Sequence, residues 1–282
     1  MSVINTNVKS LVAQNAATVN NRAMSKAMEQ LSTGKRINSA SDDAAGLAIS
    51  NKMTAQIRGL NQAVRNANDG ISLLQTAEGA TQEITNMLQR MRELAVQAAN
   101  DTNEADDRTA INDEVTALKA EITRIADNTE WNGMKLFTAS NASAGGIGVA
   151  GLVTLQVGVD GNSSDAITVQ LDDVDDTVLG INSLTLATQS GATGALATLD
   201  TAIATIDTDR ARFGATINRL TYATDNLSNV SQNAQASRSR ILDTDYAQVT
   251  TELARTQIIQ QAATAMLAQA NQAPQSVLSL LR

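Results

Sequence analysis

The residues that usually carry out catalysis are missing or poorly placed in this sequence. The 282-residue chain contains no His and no Cys, which excludes Ser-His-Asp and Cys-His arrangements and ordinary zinc sites. The run Ser32–Lys35 has the S-x-x-K spacing of serine acyl-enzymes, but the companion motifs S-D-N and K-T-G are absent. We therefore interpret Ser32 as part of a helix end and not as a nucleophile.

Two other motifs could concern nucleotides or cations. The segment Gly146–Gly151 reads G-x-G-x-x-G, but a strand-like segment follows it, whereas a dinucleotide loop lies between a strand and a helix. The acidic run Asp172–Asp176 could bind calcium, yet the twelve-residue ligand spacing is missing, and a solvated loop is the preferred interpretation. We predict no metal, no cofactor and no enzymatic activity.

Composition narrows the class of protein further. The formal net charge of −8 argues against a nucleic-acid partner, which would require a basic face. No apolar run reaches 18 residues, so we expect no membrane insertion, and residues 1–10 do not resemble a cleaved signal peptide. Because aromatic residues make up only 2% of the chain, the core must consist of aliphatic side chains, which suits helices packed side by side.

Heptad periodicity is the dominant pattern. Three runs place residues alternately four and three positions apart, all apolar except Arg210: Met53, Ile57, Leu60, Val64, Ala67, Ile71 and Leu74; Ile111, Val115, Leu118, Ile122 and Ile125; and Leu199, Ile203, Ile206, Arg210, Phe213, Ile217 and Leu220. This period predicts long helices with one seam facing a partner helix. We expect the stripe that begins at Ile57 to face the Ile203–Ile217 stripe.

Helix ends follow from the residues that interrupt these patterns. We predict a first helix over residues 5–33 that ends at Gly34, and a second from a capping box at Ser39 and Asp42 to about residue 100. Further helices are predicted over residues 104–128 and 196–270, the latter with a break near Asp243. Residues 152–157 and 167–171 are rich in β-branched residues and predict two short strands.

These elements predict a mainly α fold. The N- and C-terminal halves form a long antiparallel coiled coil or helical bundle, and a small β-rich insert lies in the middle of the chain. We predict three domains: an inner domain of terminal helices (residues 1–42 and 243–282), a helical bundle (43–137 and 195–242) and a small Gly-rich surface region (138–194).

The terminal helices have an unusual surface. Each has an apolar stripe, but Gln, Asn, Thr and Ala occupy positions where a monomer would place charge. Such helices suit packing against copies of the same chain, although docking onto the chain's own domain is an alternative. The predicted self-assembly residues are Val8, Val12, Val19, Leu31, Val249, Leu253, Leu267, Leu278 and Leu281.

Several long strings resemble bacterial flagellin. They are residues 2–7 (SVINTN), 31–49 (LSTGKRINSASDDAAGLAI), 131–136 (WNGMKL), 214–220 (GATINRL) and 277–282 (VLSLLR). The resemblance covers residues 1–137 and 195–282.

This resemblance implies a filament subunit for swimming motility, exported unfolded through the flagellar type III channel to the extracellular flagellum. The implied partners are further copies of the chain, an export chaperone, the filament cap and the hook–filament junction proteins. Two alternatives remain: a hook–filament junction protein, and a non-flagellar helical scaffold or signalling bundle.

The resemblance also implies recognition by a host. Residues 88–97 resemble the flagellin patch bound by the host Toll-like receptor for flagellin, with Glu114 on the next helix as a companion. The implied contacts are Gln89, Arg90, Leu94 and Glu114, because a guanidinium pairs bidentately while Leu fills a pocket.

Overall fold

The mainly α prediction is confirmed by a computed structural model, in which the described residues are 6–137 and 151–279, with side chains described to residue 272. The helices are α1 (Val8–Thr33), α2 (Ala44–Ala98), α3 (Ala105–Asn128), α4 (Gln189–Leu242) and α5 (Tyr246–Ser279). The strands are β1 (Glu130–Trp131), β2 (Met134–Lys135), β3 (Leu152–Gln156) and β4 (Ala166–Gln170), and a short 3-10 helix spans Ser163–Asp165. None of the described helices is both long and apolar enough to span a membrane.

The chain divides into two compact units. The first unit contains residues 1–57 and 232–282, and the second contains residues 58–231. The links between helices near residues 42 and 243, where domain boundaries were predicted, lie within the first unit, and that domain division stays a prediction. In the second unit, residues of β3, β4 and the segment after β4 share one apolar core with the helices.

The end of α1 agrees with the sequence, but α2 begins at Ala44, α4 begins at Gln189 and not at residue 196, and α5 continues to Ser279 and not to residue 270. Gly34 follows α1 in the left-handed conformation (φ 68°), and its N–H donates to the carbonyl oxygen of Gln30, as predicted for a glycine that terminates a helix. The predicted capping box at Ser39 and Asp42 is wrong, because α2 begins at Ala44 and the carboxylate of Asp43 accepts from the N–H of Gly46. Asp43 is therefore the N-cap.

The predicted heptad seams are the core of the second unit. Its buried heptad positions come from all three runs: Leu60, Ala67, Leu74, Ile111, Val115, Ile122, Leu199, Ile206, Phe213 and Leu220. From Val64 onward, the heptad positions of these three runs that are not in this list are half-buried. The period of 3.5 residues thus identified the inward face of each helix.

The register between α2 and α4 differs from the expected one. The Ser231 hydroxyl donates to Asn61 Oδ1 at 2.9 Å, and Arg92 Nε donates to Asp200 Oδ1 at 2.6 Å. Both helices traverse the same number of residues between these two contacts, so they run antiparallel without a slip. Leu60 lies beside the Asn61–Ser231 contact, and the expectation that its stripe faces Ile203–Ile217 is wrong.

Two antiparallel β-hairpins follow α3. Asn132 and Gly133 join β1 to β2, both with positive φ (51° and 76°), as a two-residue type I′ hairpin requires. Strands β3 and β4 pair from Leu152–Gln170 to Gln156–Ala166, which confirms the two strands predicted in this region. The side chain of Asn66 donates to the carbonyl oxygen of Gln156 at 3.0 Å and ties this hairpin to α2.

Candidate functional site

In the first unit, α1 and α5 form an antiparallel pair with a seam of small and polar residues. The less exposed positions recur three and four apart: Ser10, Ala13, Ala17, Asn20, Met24, Ala27 and Leu31 on α1, and Val249, Leu253, Thr256, Gln260, Ala263, Leu267 and Ala270 on α5. Asn7 Nδ2 donates to the carbonyl oxygen of Ala270 at 2.8 Å, and the Ser10 hydroxyl donates to Asn271 at 2.9 Å. This pair buries few large side chains.

The link that follows α1 and the link that precedes α5 are hydrogen-bonded to each other. The N–H of Arg36 donates to the carbonyl oxygen of Leu242 at 2.7 Å, and the N–H of Thr244 donates to that of Gly34 at 3.1 Å. Lys26 Nζ lies 2.8 Å from Asp42 Oδ1, and this contact, with backbone N–H donors, holds the pKa of Asp42 well below its usual range. The first unit is therefore fixed by polar contacts more than by an apolar core.

The α1–α5 pair carries apolar side chains that no described part of the unit covers. Val8, Val12 and Val19 on α1 are 58%, 64% and 52% exposed. On α5, Ile259 and Met266 are also exposed. Shallow grooves between the helices are lined by these side chains, with Val8, Val12 and Met266 around one and Val12, Val19 and Ile259 around the next. We call these five side chains the α1–α5 apolar face.

The structure divides the predicted self-assembly residues into three groups. Val8, Val12 and Val19 belong to the α1–α5 apolar face. Leu31, Val249, Leu253 and Leu267 are half-buried on the seam of the same helix pair. The side chain of Leu278 and the whole of Leu281 lie outside the described residues.

Part of the exposed apolar surface of α1 and α5 was not predicted from the sequence. Ile259 and Met266 complete the α1–α5 apolar face, and Leu11 and Ile258 are also more than half exposed. These residues lie off the heptad positions, where an apolar side chain has no partner within a two-helix seam. That departure from the heptad was the signal that could have identified them.

The predicted receptor residues are partly brought together on the second unit. Arg90 Nη2 lies 2.9 Å from Glu114 Oε1 on α3, and Arg90 Nη1 lies 3.1 Å from Glu93 Oε2. The hydrogen bond to Glu114 raises the pKa of Arg90 above its ordinary value. Gln89 is exposed beside them. Gln89, Arg90 and Glu114, which we call the Arg90 patch, therefore present adjacent polar groups to solvent.

Leu94 does not belong to this surface. Its side chain is only 2% exposed and lies in the core of the second unit. The reason is its position on α2, because Leu94 follows the buried residues Leu88 and Met91 by the spacings of one helix face. Leu94 therefore lies in the core and not at the surface with Gln89, Arg90 and Glu114, and its contact with a receptor stays a prediction.

The acidic run Asp172–Asp176 is not the solvated loop that the sequence predicted. Asp172 and Asp209 both pair with Arg212, and Asp175 Oδ1 accepts from the N–H of Val178 at 2.7 Å. Burial raises the pKa of Asp209. Within the described residues no group of His, Cys, Asp or Glu is arranged to hold a metal ion. These carboxylates accept hydrogen bonds in turns and form ion pairs.

The S-x-x-K run that begins at Ser32 lies at a helix end, and the segment Gly146–Gly151 precedes a strand. Ser32 is exposed in the last turn of α1, next to the glycine that ends the helix. Of the segment Gly146–Gly151, only Gly151 is described, and β3 follows it, as expected from the sequence. Residues 146–150 lie outside the described residues.

Long antiparallel helices with heptad cores and an exposed apolar face are typical of a helical structural protein. Comparison with known families gives the same class: residues 4–142 match the bacterial flagellin N-terminal helical region, and residues 196–281 match the bacterial flagellin C-terminal helical region. The chain belongs to the bacterial flagellin family, and it is a structural subunit of an extracellular flagellar filament.

Individual relatives agree with this assignment. A flagellin of Halalkalibacterium halodurans is 46% identical and is matched over 99% of this chain and 100% of its own length. Polar flagellin F of Vibrio parahaemolyticus is 37% identical over 99% of both chains. The crystal structure of Bacillus cereus flagellin is 35% identical, with a TM-score of 0.51, over 58% of this chain and 88% of that chain.

A more distant structure shares the fold. A putative flagellar hook-associated protein from Vibrio parahaemolyticus is 16% identical, with a TM-score of 0.58, over 72% of this chain and 100% of that chain. At this identity the likeness concerns the fold alone.

Proposed function

We propose that the chain polymerises through the α1–α5 apolar face, which docks against further copies of the first unit. The observation that carries this proposal is the exposure of Val8, Val12 and Val19 beside Met266 and Ile259 on a helix pair that has little core of its own. Burial of each such side chain contributes about 1.5–3 kcal/mol. Repetition of that gain at every subunit contact favours a polymer over the monomer.

The direct test is a charge in the middle of this face. Val12→Asp places a carboxylate where assembly would bury it unpaired, so we expect no filaments in sedimentation assays and electron microscopy. Val178→Asp is the matched control, because Val178 is 58% exposed but lies in the segment between β4 and α4 of the second unit. Normal filaments from Val12→Asp would contradict the proposal.

The domain arrangement, export and partners belong to the same proposal. Residues 1–42 and 243–282 form the filament core, residues 43–137 and 195–242 the surrounding bundle, and residues 138–194 the surface region.

The chain is exported unfolded by the flagellar type III system, acts in swimming motility and has no enzymatic activity. It binds an export chaperone, the filament cap and the hook–filament junction proteins. The lack of Cys and the single Pro support passage as an unfolded chain, because neither disulfides nor slow prolyl isomerisation would hinder refolding.

The main filament subunit is favoured over the alternative of a hook–filament junction protein. The supporting observation is the pair of full-length matches to relatives named as flagellins. A junction protein would be present in few copies, whereas a filament subunit forms long polymers from purified protein alone. Electron microscopy of the concentrated chain separates the two, and failure to form long filaments would favour the junction protein.

A second proposed function is recognition by the host Toll-like receptor through the Arg90 patch. The exposed Arg90, held between Glu93 and Glu114, offers remaining N–H donors in a fixed orientation. Arg90→Ala should weaken receptor binding by the monomer at least about tenfold, as for a charged hot spot. Arg124→Ala is the matched control, because Arg124 is an exposed arginine paired with Glu121 on α3. Equal loss of binding in both variants would contradict a specific role for Arg90.

A further inference from the structure

The methionines differ sharply in their exposure. The chain has 8 Met and no Cys, so thioethers are its only sulfur groups that an oxidant can attack. Met266 on α5 is 64% exposed and Met28 on α1 is 47% exposed, whereas Met91 in the second unit is fully buried. Oxidation of methionine follows access of the oxidant to the sulfur. Met266 is therefore the most accessible methionine of the described residues.

The surroundings of Met266 are those of an interface. Its side chain lines a groove with the apolar residues Val8, Val12, Ala13 and Ala270, and Lys9 and Gln269 are the polar residues of the same lining. No described hydrogen-bond donor is directed to the thioether. A polar group introduced at this point would lie among apolar side chains once a second copy covered the groove.

We propose that Met266 is an oxidation site that controls assembly. A two-electron oxidant such as hydrogen peroxide transfers one oxygen atom to the Met266 sulfur. The sulfur lone pair forms the S–O bond, the peroxide O–O bond breaks, the thioether is oxidised to a sulfoxide, and the peroxide is reduced to water. The sulfoxide is strongly polar, and its burial among the apolar side chains of the α1–α5 apolar face disfavours the polymer. This inference rests on the proposed assembly face.

Met28 provides an internal comparison. It lies 16 positions beyond Val12 on α1, on a part of the helix that does not line the grooves of the α1–α5 apolar face. Its oxidation should therefore have little effect on assembly at this face. The proposal predicts a difference between two exposed methionines of the same unit.

The experiment compares wild type, Met266→Leu and Met28→Leu. Leucine is close to methionine in volume and cannot be oxidised in this way. Each monomer is treated with hydrogen peroxide, the sulfoxides are mapped by peptide mass spectrometry, and the critical concentration for polymerisation is measured by sedimentation. We expect oxidation to raise the critical concentration at least about tenfold for wild type and Met28→Leu, but not for Met266→Leu. Methionine sulfoxide reductase should restore assembly of the oxidised wild type.

Several outcomes would overturn the inference. They are unchanged assembly of wild type oxidised at Met266, equal loss of assembly in Met266→Leu, and failure of the reductase to restore assembly. The proposed assembly face is tested separately by Val12→Asp without oxidant. If Val12→Asp prevents assembly and oxidation does not, the face stands and the oxidation site does not.

Discussion

The side chain of Asn20 donates a hydrogen bond of 2.8 Å to the backbone carbonyl oxygen of Thr256, across the seam between α1 and α5. Both residues are buried, and Asn20 Nδ2 also lies 3.3 Å from Gln260 Oε1. Most neighbouring seam positions on α1 are Ala, which would allow these helices to slide along each other. A buried Asn is known to fix register in such seams. Asn20 is therefore the buried member of the contacts that fix the register of α1 against α5, with Asn7–Ala270 and Ser10–Asn271 nearer the helix ends.

The first prediction tests this role. Asn20→Ala should destabilise the polymerised α1–α5 pair by about 1 kcal/mol per subunit, because a buried hydrogen bond is lost. The measurement is the temperature at which filaments dissociate, followed by light scattering. Asn21→Ala is the matched control, since Asn21 is exposed on the same helix turn. Equal dissociation temperatures for the two variants would show that Asn20 makes no special contribution.

The second prediction concerns the stability of the first unit in the monomer. Among the described residues its buried hydrophobic side chains are Ala27, Ile37 and Ile57, while all the others belong to the second unit. So small a core offsets little of the entropy of ordering long helices. Limited proteolysis should therefore reduce the monomer to about residues 44–241 and spare the same ends in filaments. Equal protection of the ends in both states would contradict the prediction.

The seams were predictable from the sequence because a heptad depends only on the helix itself. Leu74 and Leu220 were assigned to the core from spacing alone and are fully buried. Gly34 and the β3–β4 strands were likewise identified by local chemistry.

Register and side-chain exposure could not be predicted in the same way. Every heptad step of α2 offers a similar apolar surface to α4, so spacing cannot choose the pairing that Asn61–Ser231 and Arg92–Asp200 reveal. Leu94 was assigned to the receptor contacts from the resemblance of residues 88–97 to the flagellin patch, and a resemblance of sequence did not reveal that its side chain faces the core. Ser39 and Asp42 have the three-residue spacing of a capping box, which is why the start of α2 was predicted there, although Asp43 caps the helix.

The third prediction uses two glycines of α2. A Cβ added at Gly70 would overlap the side chain of Leu155 on β3, whereas one added at Gly79 would meet nothing within 4 Å. Gly79→Ala should stabilise the second unit by about 1 kcal/mol through helix propensity. Gly70→Ala has the same gain in helix propensity, but it should destabilise the second unit overall by about 1–2 kcal/mol, because overpacking against Leu155 outweighs that gain. Urea unfolding of the monomer measures both, and equal stabilisation would show that the β3–β4 hairpin moves aside freely.

The last prediction concerns acid and the Lys26–Asp42 pair of the first unit. Lys26 and the N–H groups of Asn38 and Ser39 stabilise the ionised carboxylate, so the folded-state pKa of Asp42 lies below its unfolded value. A lowered carboxyl pKa contributes stability that is present above the unfolded pKa of about 3.9 and is lost as pH falls toward the folded pKa. Wild-type filaments should therefore dissociate at lower temperature as pH decreases below about 5. Asp42→Asn should lower the dissociation temperature at neutral pH and weaken the dependence of that temperature on pH. Lys26→Gln should reproduce much of this effect, and the double variant should be little worse than either single variant, because both changes remove one interaction. Fully additive effects, or an unchanged pH dependence in Asp42→Asn, would show that this ion pair does not control the acid response.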